Sequence, residues 1–120
     1  MMDYIIAAAL LILIDIPWLT YQMATNGSMF EDIQGGRPMK TRLWPAIVVY
    51  AALSILLVTV KSVKEAAIAG AATYAVYDFT NLVTFKDYKV EFAIMDTMWG
   101  GALFSMAYWS LERIRTFLKK

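Results

Sequence analysis

An all-α, integral membrane, four-helix antiparallel bundle is the fold this sequence predicts, on three observations. Four stretches, residues 4–21, 43–60, 66–83 and 90–111, are almost wholly apolar. Each approaches the roughly 20 residues a helix needs to cross a hydrocarbon core about 30 Å thick. The chain as a whole is 60% hydrophobic and 18% charged, against about 45–50% and about 25% in ordinary soluble domains. Backbone groups in lipid must be satisfied within the segment, and 120 residues are too few to close a barrel, so the stretches read as helices. The length allows one domain over residues 1–120.

The first helix begins with Asp3 where a signal peptide would carry basic residues, and no small-residue cleavage site follows, so it reads as a retained span. The connection over 22–42 contains Asn26-Gly27, Gly35-Gly36 and Pro38 and reads as a long loop. Its Met29, Phe30 and Ile33 are expected to fold back over the bundle mouth. Pro45 suits the first turn of helix 2, where its missing N–H would be unpaired anyway. Ser62 and Glu65 have capping-box spacing, which starts helix 3 after a tight turn. The link over 84–89 to helix 4 is also short. Both termini then lie on one side. Lys and Arg number six on that side and five on the other, which leans toward cytoplasmic termini of a multi-pass protein.

Composition excludes several chemistries. No cysteine is present, so there is no disulfide, thiolate nucleophile or zinc–thiolate site. No histidine is present either, which removes nitrogen-ligated metals and imidazole acid–base catalysis. A net charge of +1 gives no reason to expect a nucleic-acid partner.

Within the apolar stretches stand Asp15, Asp78 and Asp96, with no Lys, Arg or His beside them. A carboxylate at mid-bilayer costs about 2.5–3.5 kcal/mol on insertion scales, so such residues face an interior cavity or pathway. Counted from the far-side helix ends, the acids lie five or six residues in, roughly 8–9 Å at 1.5 Å per residue, which predicts one shared layer. Helical periodicity puts Tyr74, Tyr77, Asp78 and Asn81 on one face of helix 3, with Val76, Phe79 and Val83 turned away toward lipid. Tyr50 falls at the same depth on helix 2. Pro17 frees the Leu13 carbonyl near Asp15. Asp-x-x-Trp occurs at Asp15/Trp18 and at Asp96/Trp99, and each indole is expected to reach the carboxyl group on its own helix. Candidate binding residues are therefore Asp15, Asp78, Asn81, Asp96, Tyr74, Tyr77, Tyr50, Trp18 and Trp99.

The runs Asp15-Ile16-Pro17-Trp18-Leu19, Tyr74-Ala75-Val76-Tyr77-Asp78-Phe79-Thr80-Asn81 and Asp96-Thr97-Met98-Trp99-Gly100, in that order, resemble the small membrane proteins catalogued as domain of unknown function 2177. The resemblance covers nearly the whole chain. It implies four spans and the positions of the motifs, and no established reaction.

Carboxylates and aromatic faces together attract ammonium or guanidinium groups, and a layer of acids without a basic partner holds a proton or a counter-cation. All-oxygen ligands would suit Na⁺, Mg²⁺ or Ca²⁺ over softer metals, but the residues define no metal set and no cofactor motif. The leading expectation is a module that binds or conducts a proton, a cation or an amphiphilic small molecule, open toward the loop-rich side. The alternative is a structural or assembly protein whose acids fix helix packing, with a homo-oligomer compatible with it. A lipid-metabolism enzyme is the third reading. It has two carboxyl groups available as acid and base but no recognisable nucleophile, and no catalytic residue is assigned. The partner common to all three is the lipid bilayer. The basic tail, Arg113, Arg115, Lys119 and Lys120, reads as a helix-end anchor at an anionic surface.

Overall fold

The computed structural model describes residues 1–40 and 42–119 and is all-α: α1 Met2–Ile33, α2 Trp44–Thr59, α3 Val63–Thr84 and α4 Val90–Leu118. The tail residue Lys120 lies outside the described residues. The bundle measures 54 × 26 × 20 Å. α1 and α4 pair at its centre, α2 lies on α1 and touches α4 lightly, and α3 packs along α4. Among the described residues, α2 and α3 make at most a slight contact with each other.

The main departure from expectation is the length of α1. It does not stop near Tyr21 but runs 32 residues, carrying Asn26 and Gly27 inside the helix. Local propensity opposes this by up to about 1 kcal/mol at a glycine. Burial outweighs it: Met29, Phe30 and Ile33 pack on Tyr88, Phe92 and Ala93 at the start of α4. The Asn26 amide also donates to Gln22 Oε1 at 2.5 Å. The helix stops at the next glycine signal. Gly35 and Gly36 have φ of 76° and 85°, and Gly36 N donates to Glu31 O at 2.9 Å while Gly35 N donates to Asp32 O at 3.0 Å. These are the two bonds of a Schellman cap, which requires the left-handed backbone that glycine adopts freely. So Met29, Phe30 and Ile33 do cover the mouth, as a helix and not a loop.

Other boundaries follow the sequence closely. Pro45 lies in the first turn of α2. Ser62 Oγ accepts from Glu65 N at 3.0 Å, and Glu65 Oε1 accepts from Lys61 N at 2.9 Å, which closes the start of α3. α4 continues past residue 111 to Leu118. There Arg115 bonds Asp3 of α1 at 3.1 Å and also Glu112, tying the two terminal ends together.

α3 and α4 meet through glycines. A Cβ on Gly70 would strike the Gly100 carbonyl and lie 2.7 Å from Phe104 Cβ; one on Gly100 would lie 2.6 Å from the Gly70 carbonyl and 2.6 Å from Tyr74 Cδ1. Small residues thus let the backbones touch, the usual device where lipid offers no hydrophobic drive to helix pairing. The core beneath contains Leu11, Leu57, Leu103, Phe104 and Leu111, all fully buried. The outward faces are apolar: Leu13, Ile47, Val76 and Met98 are each 66–71% exposed, one on every helix.

By length and composition α1 is the one helix, among the described residues, long and apolar enough to cross a membrane. α2 is apolar but shorter, at 16 residues. In α3 and α4 the Asp-bearing faces and charged ends dilute the apolar pattern.

Candidate functional site

The three aspartates are buried, and each is held by an aromatic donor from another element. Asp15 on α1 accepts from Tyr50 Oη of α2 at 2.5 Å and from Trp99 Nε1 of α4 at 2.8 Å. Asp96 on α4 accepts from Trp18 Nε1 of α1 at 2.9 Å. Asp78 on α3 accepts from Tyr88 Oη at 2.6 Å.

The two Asp-x-x-Trp motifs therefore exchange partners. Each indole was expected to serve its own helix; instead it serves the carboxyl group of the other. The reason is the antiparallel pairing of α1 and α4. Identical motifs running in opposite directions meet head to tail, so Trp18 stands opposite Asp96 and Trp99 opposite Asp15. The indoles stack between them, with centroids 5.0 Å apart and planes 9° from parallel.

The carboxyl groups of Asp78 and Asp96 lie close to each other between α3 and α4. Asp78 is wholly buried, and its Oδ2 has no hydrogen-bond donor. Two carboxyl groups in contact without a basic neighbour need a proton or a cation between them to avoid repulsion. Behind them, burial pushes the Tyr88 phenol above its ordinary range, and the bond it donates to Asp78 pushes it the same way. Asn81 lies beside Tyr77 and Tyr88.

In front of the acids is a cleft of about 390 Å³ bounded by all four helices. Of the residues singled out by sequence, Asp15, Trp18, Tyr50, Tyr74, Tyr77 and Asp96 line it. Asp78, Asn81 and Trp99 do not: they stand behind the wall as supports. Sequence reasoning missed Gln22, Phe30 and Phe92 in the lining, as well as Tyr88. Gln22 was findable, being seven residues past Asp15 on the same helical face had α1 been read past Tyr21. Tyr88 sits in a connection and carries no periodic signal. Among the described residues, no Lys or Arg lines the cleft. Among the described residues, no three carboxylates converge as a metal-ligand set.

The model of the family DUF2177, described as a predicted membrane protein, matches residues 1–111. The chain belongs to the DUF2177 family. That match spans all three aspartate motifs and most of α4. Comparison with curated proteins and with solved structures returned no match. DUF2177 membership thus makes this a predicted membrane protein and leaves the chemistry to be argued from the site.

Proposed function

We propose that this DUF2177 protein is a four-span membrane module that binds a proton, a cation or the polar head of an amphiphilic molecule in the aspartate-lined cleft. The observation that carries the reading is a lining of two buried acids, Asp15 and Asp96, beside aromatic Trp18, Tyr50, Tyr74 and Tyr77, with no basic residue facing it among the described residues. Carboxylates in such surroundings are expensive to retain without a use, and the aromatic faces complement a positive charge. The apolar outward faces of all four helices support a multi-pass topology, with termini on the cytoplasmic side. Because the chain lacks cysteine, Lys64→Cys and Lys86→Cys give clean labelling sites for the two sides.

Native mass spectrometry of protein released from mild detergent tests the binding reading. A stoichiometric adduct that disappears in Asp96→Asn and Asp15→Asn, with the fold retained, supports it. The exchanged tryptophan–aspartate bonds favour a second reading, in which the acids fix the α1–α4 register. Loss of folding or a changed oligomer in the same variants, with no adduct in the wild type, would decide for that structural role.

A further inference from the structure

We infer that the cleft accepts the head of a long-chain amino alcohol, an ammonium beside a hydroxyl, which enters sideways from the bilayer between α2 and α3. This deepens the binding reading above and rests on it.

The charge of the head follows from the wall. Asp15 and Asp96 are the ionisable acids facing the cleft, Trp18, Tyr50, Tyr74 and Tyr77 present aromatic surface, and among the described residues no Lys or Arg faces it. An ammonium gains from both kinds of neighbour, whereas an anion would be repelled by the two carboxylates.

The hydroxyl follows from Gln22. This residue is 4% exposed and lines the cleft; one end of its amide is taken by Asn26, and Nε2 has no partner. A buried amide atom left unpaired costs about 1–3 kcal/mol, which a ligand group would relieve. A hydroxyl both donates and accepts, so it serves either end of the amide. Gln22 lies four residues, about 6 Å along α1, beyond Trp18, whose indole donates to Asp96. An amine and a hydroxyl on adjacent carbons, each adding one hydrogen bond of about 3 Å, bridge that separation.

The route follows from the packing. α2 and α3 are joined by Val60, Lys61 and Ser62, yet make at most a slight contact with each other, so they diverge from that turn. Val49, Tyr50 and Leu53 make one flank of the cleft, and Thr73, Tyr74 and Tyr77 the other. At the far-side end Phe30 and Phe92 meet edge to face at 5.5 Å, under the extension of α1. The water-side mouth is thus roofed by aromatics, and the open flank faces the apolar surroundings where an alkyl chain would remain. A volume near the low end of about 300–1,000 Å³ suits a head group more than a whole lipid.

The test uses tryptophan fluorescence of the full chain in mild detergent, with Trp44→Phe and Trp109→Phe removing the two exposed indoles so that Trp18 and Trp99 report. The probes are dodecylamine, dodecanol, ethanolamine and the vicinal amino alcohol of twelve-carbon chain length. The amino alcohol is expected to bind saturably, about five-fold more tightly than dodecylamine and at least about ten-fold more tightly than dodecanol or ethanolamine. Gln22→Leu should erase the five-fold advantage and leave dodecylamine binding intact, which also shows that the variant folds. Equal binding of amino alcohol and amine, unaltered by Gln22→Leu, overturns the hydroxyl. Ethanolamine binding as well as the long-chain probe overturns lateral entry. If none of the probes binds, and native spectra show no adduct, the underlying binding reading falls with it.

Discussion

Trp18 and Trp99 stack 5.0 Å apart, and each gives its indole N–H to the aspartate of the other's helix. The arrangement makes a local two-fold clasp between α1 and α4 from one short motif used twice. It fixes the relative height of the two central helices, and it turns Asp15 and Asp96 toward the cleft with acceptor capacity still free.

The clasp predicts a pattern of energetic coupling. A double-mutant cycle of Trp18→Phe with Asp96→Asn should show a coupling of about 1.5–3 kcal/mol, the range for hydrogen bonds to charged groups. The cycle of Trp18→Phe with Asp15→Asn should come out near zero apart from the shared stack. Unfolding in mixed detergent, followed by helical circular dichroism, reads both. Coupling confined to the same-helix pairs would refute the exchanged geometry.

The glycines should separate by sign. Gly70→Ala and Gly100→Ala force backbone against backbone at the α3–α4 crossing, and each should destabilise by about 1–3 kcal/mol or more. Gly27→Ala should do the reverse, raising stability by up to about 1 kcal/mol. A Cβ there meets only flexible methionine ends at 3.8 Å and 4.0 Å, and alanine is the better helix former. The same unfolding measurement distinguishes them.

Tyr88 should be silent in an alkaline titration. Burial and its bond to Asp78 raise its phenol above the ordinary value of about 10. Folded wild type and Tyr88→Phe should therefore show the same number of tyrosines ionising near that pH in ultraviolet difference spectra. One fewer in the variant would mean that Tyr88 is not held as described.

At the terminal end, Arg115 bonds Asp3 and Glu112, but the acids are about half exposed. Arg115→Met is expected to cost no more than about 1 kcal/mol, and the loss should shrink with added salt. A larger, salt-independent effect would point to packing of the arginine stem. The finding also narrows the basic tail: Arg115 is occupied within the fold and Arg113 sits 5.1 Å over Trp109, which agrees with a helix-end anchor.

Much of the frame was legible in the sequence because it is local. Apolar runs of spanning length mark helices wherever the chain goes next, and Ser62 with Glu65 marks the start of α3 through bonds made within four residues. The three aspartates stood out because no nearby base explains them, and periodicity correctly turned Val76, Phe79 and Val83 outward. The cost of an isolated carboxylate was enough to place an interior polar site in this chain before its partners were known.

What only the tertiary structure decided is everything that depends on one helix meeting another. α1 runs through Asn26-Gly27 because Phe30 and Ile33 find Tyr88 and Phe92, a contact that outweighs a small local preference. The indoles exchange acids because α1 and α4 are antiparallel, a relation that no single-helix pattern contains. Asp78 is set behind Asp96 by the crossing at Gly70 and Gly100, and the cleft exists because α2 and α3 part after their shared turn. Sequence periodicity reports which face of a helix is buried; the height and neighbour of that face are set by long-range packing, and those are what make a site from three buried acids.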